Sequence, residues 1–151
     1  MIEIFLDRGA YEAGESINAE IRLTLKKTVK ARGIFAALKC VERKKVKRTR
    51  VLDSYDYARD AELGVPRSTN VRTTETEQER VWFLQEKRVA GEGEYKEGTF
   101  QVGFSLPKNA PPTSHEFGHD NLVHVWRLRV KLDVPMALDE NAEKEVKVLG
   151  L

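Results

Sequence analysis

One short stretch of this sequence has the residue types and spacing of a metal-dependent hydrolase. Residues 115–119 read His-Glu-Phe-Gly-His, which matches the H-E-x-x-H pattern of zinc peptidases. On a helix, two histidines four residues apart lie on one face and bind zinc together, while the intervening glutamate acts as general base on the zinc-bound water. The pattern therefore raises one enzymatic hypothesis, a minimal zinc hydrolase that uses His115, Glu116 and His119.

The sequence around this motif does not supply the helix or the further ligand that such a site needs. Pro111 and Pro112 come just before it and would break a helix. In the extended pattern H-E-x-x-H-x-x-G-x-x-H the third histidine would fall at Val125. His124 is one residue early, which on a helix is a rotation of about 100°. We therefore expect the motif to form a solvated loop between strands, with no catalytic residue, no metal and no cofactor.

A basic run is the second feature with binding chemistry. Its six cations are Arg43, Lys44, Lys45, Lys47, Arg48 and Arg50. Such a run can bind phosphate, anionic lipid, nucleic acid or an acidic protein. No aromatic residues are interleaved for stacking on bases, and the acidic stretch 75–79 is placed to face the run across a hairpin. We take the six cations as candidate binding residues and a charge-paired hairpin arm as the alternative.

Length and composition restrict the class of protein. The chain has 151 residues with 40% hydrophobic content, which predicts one folded domain spanning residues 1–151. Lys and Arg number 26 against 24 Asp and Glu, so the net charge does not indicate a dedicated nucleic-acid binder. The abundance of Lys, Arg and Glu is a compositional feature of thermophile proteins.

Redox chemistry and membrane insertion find no support in the composition. Cys40 is the single cysteine, so neither an internal disulfide nor a cysteine-rich zinc site can form. No stretch approaches the roughly 20 apolar residues of a membrane span. These features predict a soluble cytoplasmic protein without a transmembrane segment.

The hydropathy pattern has a period of two, which is typical of β-strands with one buried face. It is clearest in residues 16–25 and 122–134, where every second residue is apolar. Further strands are predicted at 2–6, 33–41, 79–89, 99–106 and 143–149. Turn residues cluster at 12–16, 91–98, 107–114 and 139–141. Short strands without intervening helices favour an antiparallel sandwich or barrel.

The same alternation assigns side chains to the core. Trp126 is in phase with the apolar face of its strand, and Cys40 is in phase with Leu38, so both are predicted to be buried. Trp82 is predicted to be a core aromatic as well, and His124, with the parity of Trp126, to lie at the sandwich edge. The polar region at about 43–80 is predicted to be a long charged hairpin or loop, with a short helix at 57–63 as one alternative.

The order of motifs after residue 91 resembles the arrestin-like superfamily. The family pattern is a glycine turn, a strand ending in F-x-F-x-L-P, a P-x-S loop, a V-x-W strand ending in L-D-x-P, and a K-x-V-x-V strand. The matching positions are Gly98, Phe104 to Pro107, Pro112 to Ser114, Val125-Trp126, Leu132 to Pro135 and Lys144 to Val148.

The N-terminal half resembles the family more loosely. Residues 11–25 are similar to its Y-x-P-G-E-x-I-x-G-x-V entry, with Ala13 in place of proline and Ala19 in place of glycine, and residues 29–43 are similar to its next strand. No resemblance covers 45–78. The simpler branches are the most similar: alpha-arrestins, the retromer arrestin-like subunit and bacterial sporulation-control proteins.

The resemblance implies an all-β, immunoglobulin-like antiparallel sandwich, here a single domain where most members carry two. It also implies a non-enzymatic adaptor or scaffold that binds protein partners through an exposed edge strand or through loops, which we expect at 44–80, 91–98 and 107–121. A homodimer, in which two sandwiches imitate the two-domain relatives, is a further expectation. Binding of phosphate, lipid or nucleic acid through 43–50 is the less favoured alternative.

Overall fold

The described part of the chain consists of β-strands joined by turns and loops. The computed structural model describes residues 1–51 and 71–150, with side chains described except at 48–51 and 71–73. Within these ranges there are nine strands and no helix. The strands are β1 (Ile2–Leu6), β2 (Tyr11–Glu12), β3 (Ser16–Ala31), β4 (Gly33–Val51), β5 (Val71–Ala90), β6 (Gly93–Ser105), β7 (Leu122–Asp133), β8 (Glu140–Val146) and β9 (Val148–Leu149).

The strands form two antiparallel sheets and one short parallel pair. The three-stranded sheet has the order β1-β3-β6, and the four-stranded sheet has the order β5-β4-β7-β8. Strands β2 and β9 pair in parallel, with Tyr11 opposite Val148. The two larger sheets stack face to face over one apolar core, so the predicted immunoglobulin-like β-sandwich is confirmed.

The core lies between the inner faces of these two sheets. Alternate residues of β3, from Ile17 to Leu23, point into it from one side. Alternate residues of β7, from Trp126 to Leu132, are fully buried on the other. Burying one such aliphatic side chain contributes about 1.5–3 kcal/mol. The period-two pattern therefore holds the two sheets together, and it leaves most of their outer faces to solvent, although Val123, opposite Arg43, is buried.

A β-bulge places three aromatic rings together near one end of the core. Cys40 lies opposite Phe83 and Val41 lies opposite Val81, which leaves Trp82 as the extra residue of β5. The ring of Trp126 is 5.9 Å from that of Trp82 and 5.6 Å from that of Phe83, between centroids. Burial of Trp126 and Cys40 is confirmed, and Trp82 packs half-buried against the core.

The charged region at 43–80 is a hairpin wherever the structure describes it. Strands β4 and β5 pair in continuous antiparallel register out to Val51 and Val71. Strand β7 stops pairing with β4 at Lys44, so the hairpin continues beyond it as a two-stranded ribbon. The described part of the predicted hairpin or loop is thus paired strand, and the alternative helix at 57–63 lies outside the described residues.

Two stretches counted among the predicted loops are strand where the structure describes them. Residues 93–98 belong to β6, and the glycine expected in a turn, Gly98, lies within that strand opposite Leu23. Residues 44–51 and 71–80 are strand, not loop. Polar side chains such as Glu94, Lys44 and Glu77 lie at exposed strand positions, which local composition does not distinguish from a turn. The loop at 107–121 is confirmed.

Candidate functional site: the outer face of the four-stranded sheet

The H-E-x-x-H motif lies in the loop before β7 and does not assemble a metal site. Its residues form bends and a turn, so the two histidines do not share a helical face. His115 Nε2 lies 2.8 Å from Glu145 Oε1 on β8, at the protein surface. Within 1–51 and 71–150, no three His, Cys, Asp or Glu side chains are grouped to hold a metal. The zinc-hydrolase hypothesis therefore has no support, and the loop prediction is confirmed.

Three polar side chains from neighbouring strands close one end of the core. In register, Arg80 of β5 and His124 of β7 flank Glu42 of β4. Arg80 Nε donates to Glu42 Oε1 at 2.7 Å, and His124 Nε2 is 2.8 Å from Glu42 Oε2. Glu42 is 7% exposed and His124 is 8% exposed. These hydrogen bonds, first from Arg80 and then from His124, hold the pKa of the Glu42 carboxyl below its usual value.

Sequence reasoning finds this cluster only in part. Glu42 and His124 share the parity of the buried Cys40 and Trp126, so the alternation pattern does place polar residues at core-facing positions. Their contact with Arg80 is not contained in that pattern, because the three residues are brought together by strand order, which alternation does not determine. His124, predicted to lie at the sandwich edge, is buried on the inner strand β7 and contacts Glu42 at one end of the core.

The basic run divides between the two faces of β4. Arg43, Lys45 and Lys47 lie on the outer face, whereas Lys44 points the other way and lies opposite Gln78. The backbone of Arg48 and Arg50 is part of β4, and their side chains are outside the described part. The run is therefore not one continuous cationic patch.

Each outer-face cation of the run lies opposite a glutamate of β5. The register pairs Arg43 with Glu79, Lys45 with Glu77 and Lys47 with Glu75. Opposite charges in directly facing positions stabilise a sheet by about 0.2–1 kcal/mol per pair. The acidic stretch therefore faces the basic run, as the hairpin-arm alternative predicts.

Below this charged ladder the outer face carries a row of apolar side chains. Val81, Val41 and Val125 lie side by side across β5, β4 and β7. Leu84 lies in the next row on β5. Val81 is 50% exposed and Leu84 is 52% exposed, so this row leaves hydrocarbon in contact with water. The side chains line a shallow depression on the sheet.

Charged side chains of both signs border that apolar row, with Glu79 and Glu86 on β5 and cations on β4 and β7. Leu84, Lys39 and Arg127 form the second row across the three strands. Neither Lys39 nor Arg127 forms an ion pair within 1–51 and 71–150. Arg129, one row further, reaches Glu143 of β8 only at 3.9 Å. We define Val41, Val81, Leu84, Val125, Lys39 and Arg127 as the outer-face patch.

A second depression, between the β1–β2 connection and β8, is occupied by internally paired charges. Arg8 binds Glu15, and His115 binds Glu145. Lys144 Nζ donates to the backbone oxygen of Ile4 at 3.3 Å. Most of the charged groups that line this depression are thus bound within the protein, and Lys147 is a further lining cation.

The fold and the comparisons define the class to which the chain belongs. Its two stacked antiparallel sheets are those of an immunoglobulin-like β-sandwich. The family model described as arrestin (or S-antigen), N-terminal domain, matches residues 2–151. The chain therefore belongs to the arrestin family, whose domains are in general non-enzymatic and bind proteins.

One solved structure gives the same fold at low sequence identity. The chain is similar to Spo0M, the sporulation control protein from Bacillus subtilis, with a TM-score of 0.61 and 15% identity. The similarity covers 99% of this chain and 49% of that one, so this chain spans about half the length of Spo0M. At this identity the comparison shows the fold alone. No curated protein matches the chain.

No helix in the described ranges is both long enough and apolar enough to span a bilayer.

Proposed function

We propose that this chain is a non-enzymatic, cytoplasmic adaptor or scaffold domain that binds a protein partner through the outer-face patch. The observation that carries the proposal is the half-exposed pair Val81 and Leu84 beside Lys39 and Arg127, two cations that form no ion pair with the described residues. An apolar centre with a charged rim is the composition of a protein-binding surface. Family membership supports the same type of role.

The patch is suited to a partner because it is built on a rigid element. Its side chains come from three adjacent strands, of which β4 and β7 carry the core residues Leu38, Cys40 and Trp126 on their opposite faces and β5 carries the half-buried Trp82 and Phe83. A surface held by a packed sheet loses little conformational freedom when a partner binds. The cations would steer an acidic partner, and the valines and Leu84 would supply the buried apolar area.

The binding residues predicted from the sequence fit this proposal in part. Arg43, Lys45 and Lys47 lie on the same face as the patch and extend it along the ribbon, whereas Lys44 lies on the opposite face. Facing glutamates offset their charge, so binding of phosphate, lipid or nucleic acid through this run is the weaker alternative. That alternative predicts binding that falls steeply with salt and is lost when the run is neutralised.

Paired affinity capture from extract of the source cell tests the proposal. The variant Leu84→Lys places a charge in the centre of the patch at a half-exposed position, where the fold tolerates it. The matched control is Leu138→Lys, which makes the same change at a 96% exposed position in the β7–β8 connection.

The expected result is a specific set of proteins retained by the wild type and by Leu138→Lys but not by Leu84→Lys. Equal retention by all three proteins would contradict a role for the patch. Turnover of a substrate by the purified wild type, abolished by a single substitution, would contradict the non-enzymatic assignment.

A further inference from the structure

The outer face of the β4–β5 hairpin is electrostatically complementary to itself. Strand β5 carries an acidic column, whose side chains Glu75, Glu77 and Glu79 are all exposed. The neighbouring basic column on β4 consists of Lys47, Lys45 and Arg43, at the same heights along the strands. One strand spacing, about 4.8 Å, separates the two columns.

The apolar residues of this face continue the same two columns. Val81 and Leu84 follow the glutamates on β5, and Val41 follows the cations on β4. Both β5 residues are about half exposed. Each column thus changes from charged to apolar at the same height, at Val81 and Val41, and in the next row Leu84 lies opposite Lys39. A partner column with the same order would match the charged part and the valine row, and it would place Leu84 against the hydrocarbon stem of Lys39.

A two-fold axis parallel to the strands, between β4 and β5, brings these columns together. Rotation by 180° about that axis lays β5 of one copy over β4 of the other and preserves height along the strands. The glutamates then face the partner's cations, and Val81 faces the partner's Val41. Because the contact is isologous, it occurs twice in the dimer. Aligned sheets pack in this way at about 10 Å, within about 30° of parallel.

Other two-fold arrangements of the same face bring like charges together. An axis between β4 and β7 lays Lys39 of one copy over Arg127 of the other, because these two residues lie at the same height. An axis perpendicular to the strands and level with Glu77 lays each column over its own copy in reversed order, so that the glutamates of β5 oppose glutamates. The arrangement that exchanges β4 and β5 is the one in which the charges attract.

We propose that a second copy of this chain docks on the outer face of the β4–β5 hairpin, each copy's acidic column against the other's basic column. This inference rests on the proposed function, because it names one partner for the outer-face patch. It makes the chain a two-sandwich scaffold in which the β7 side of each outer face, with Arg127 and Arg129, stays open to another protein.

Charge-exchange variants test the proposal. The first variant reverses the acidic column (Glu75→Lys, Glu77→Lys, Glu79→Lys), and the second reverses the basic column (Arg43→Glu, Lys45→Glu, Lys47→Glu). Sedimentation velocity measures the mass of each alone, of their mixture and of a chain that carries all six changes. Far-ultraviolet circular dichroism checks that each variant keeps its β-sheet.

The wild type is expected to sediment at twice the 17.2 kDa of one chain. Each single-column variant should be monomeric, since its β5 and β4 columns carry the same sign. Their equimolar mixture should form a heterodimer, and the six-change chain should dimerise with itself. Dimer formation in the mixture must come from contact between two chains. Within each variant chain the β4 and β5 columns still carry the same sign, so an effect inside one chain cannot restore it.

If a triple variant fails to fold, a single substitution still tests the proposal. Leu84→Lys changes one exposed side chain and should raise the dimer Kd by at least about tenfold, with Leu138→Lys unchanged. A wild type that stays monomeric up to about 100 μM overturns the proposal, and so does a mixture of folded variants that stays monomeric. Partner capture that depends on Leu84 in a monomeric wild type would overturn this inference alone and leave the proposed function standing.

Discussion

The two halves of the β4–β5 hairpin are one continuous pair of strands, yet different interactions hold them. In the half nearest the sandwich, every second residue of β4 from Ile34 to Cys40 is buried in the core. Beyond Glu42 no described residue of β4 belongs to the core, and charged pairs replace apolar contacts. The row Arg80–Glu42–His124 marks the change. A strand can thus be positioned by a core and extended beyond it as a surface for binding.

Removal of the central core aromatic should have the largest effect in the sandwich half. Trp126 is fully buried, contacts two aromatic rings, and its Nε1–H donates to the backbone oxygen of Pro111 at 2.9 Å. Trp126→Ala should lower the free energy of unfolding by about 3–5 kcal/mol, because it leaves a cavity and an unpaired carbonyl. Urea denaturation measures this. A loss no larger than that of the half-exposed control Val81→Ala would contradict the core assignment.

The second largest loss of stability should come from a side chain introduced at the start of β4, where the backbone of another strand lies close. A Cβ on Gly33 would lie 2.7 Å from the backbone oxygen of Ala90, closer than a real Cβ contact allows. Gly33→Ala should therefore destabilise the fold by about 1–3 kcal/mol through a forced shift of the backbone. The control Gly93→Ala meets no atom within 4 Å. Thermal unfolding should separate the two variants, and equal midpoints would show that the close approach at Gly33 does not constrain the fold.

The row Arg80–Glu42–His124, at the boundary between the two halves of the hairpin, should make the stability of the fold depend on pH. Because the pKa of Glu42 is held below its usual value by Arg80 and then His124, its charged form stabilises the fold above the unfolded pKa of about 4.3. That contribution is lost as the pH falls through the lower folded pKa. Glu42→Gln should cost about 1–3 kcal/mol near pH 7.

Urea denaturation of wild type and Glu42→Gln between about pH 3 and pH 7 checks this dependence. The difference between the two proteins should shrink towards the acidic end. The exposed Glu97→Gln on β6 is the matched control and should track the wild type. A difference that stayed constant over the whole range would mean that the Glu42 carboxyl is not the titrating group.

Substitutions in the two-stranded ribbon beyond Glu42 should have the smallest effect on stability. Glu77→Lys reverses one member of a facing pair and should lower stability by about 0.2–1 kcal/mol, and Lys45→Glu added to it should restore the pair. A double-mutant cycle measured by chemical denaturation gives the coupling between the two sites. A coupling of zero would show that the facing charges do not interact, and that the ribbon is held by its backbone hydrogen bonds.

The same contrast explains which parts of the fold are predictable. Alternation predicts the strands that bury one face, such as 16–25, and the burial of Trp126, because core packing imposes that pattern. Strands that extend past the core, such as β5 from Val71 to Glu79, lack that constraint, so the predicted strand begins only at 79. Trp82 and Phe83 both reach Trp126 only because of a bulge, which strict alternation does not contain.

The candidate site is less predictable than the fold. The basic run is evident in the sequence, but its division between two faces follows from the register of β4. The outer-face patch combines residues of three strands, and its valines and Leu84 look like core residues in the sequence. Alternation places Val41 and Val125 out of phase with the buried Cys40 and Trp126, but the order β5-β4-β7, which pairing over long sequence distances decides, is what brings them beside Val81 and Leu84.

Thiol reactivity is the most direct test of a buried inner face and an open outer face. The single cysteine, Cys40, is fully buried, and burial, with a smaller effect of the Glu42 charge, raises the pKa of its thiol to about 12. The wild type should therefore resist a thiol reagent unless it is denatured. The variant Leu84→Cys should react with one equivalent in dilute solution and become protected as its binding partner is added. Reaction of the native Cys40 thiol as fast as the thiol introduced by Leu84→Cys would contradict the account, and so would an introduced thiol that is unreactive in the dilute, isolated protein.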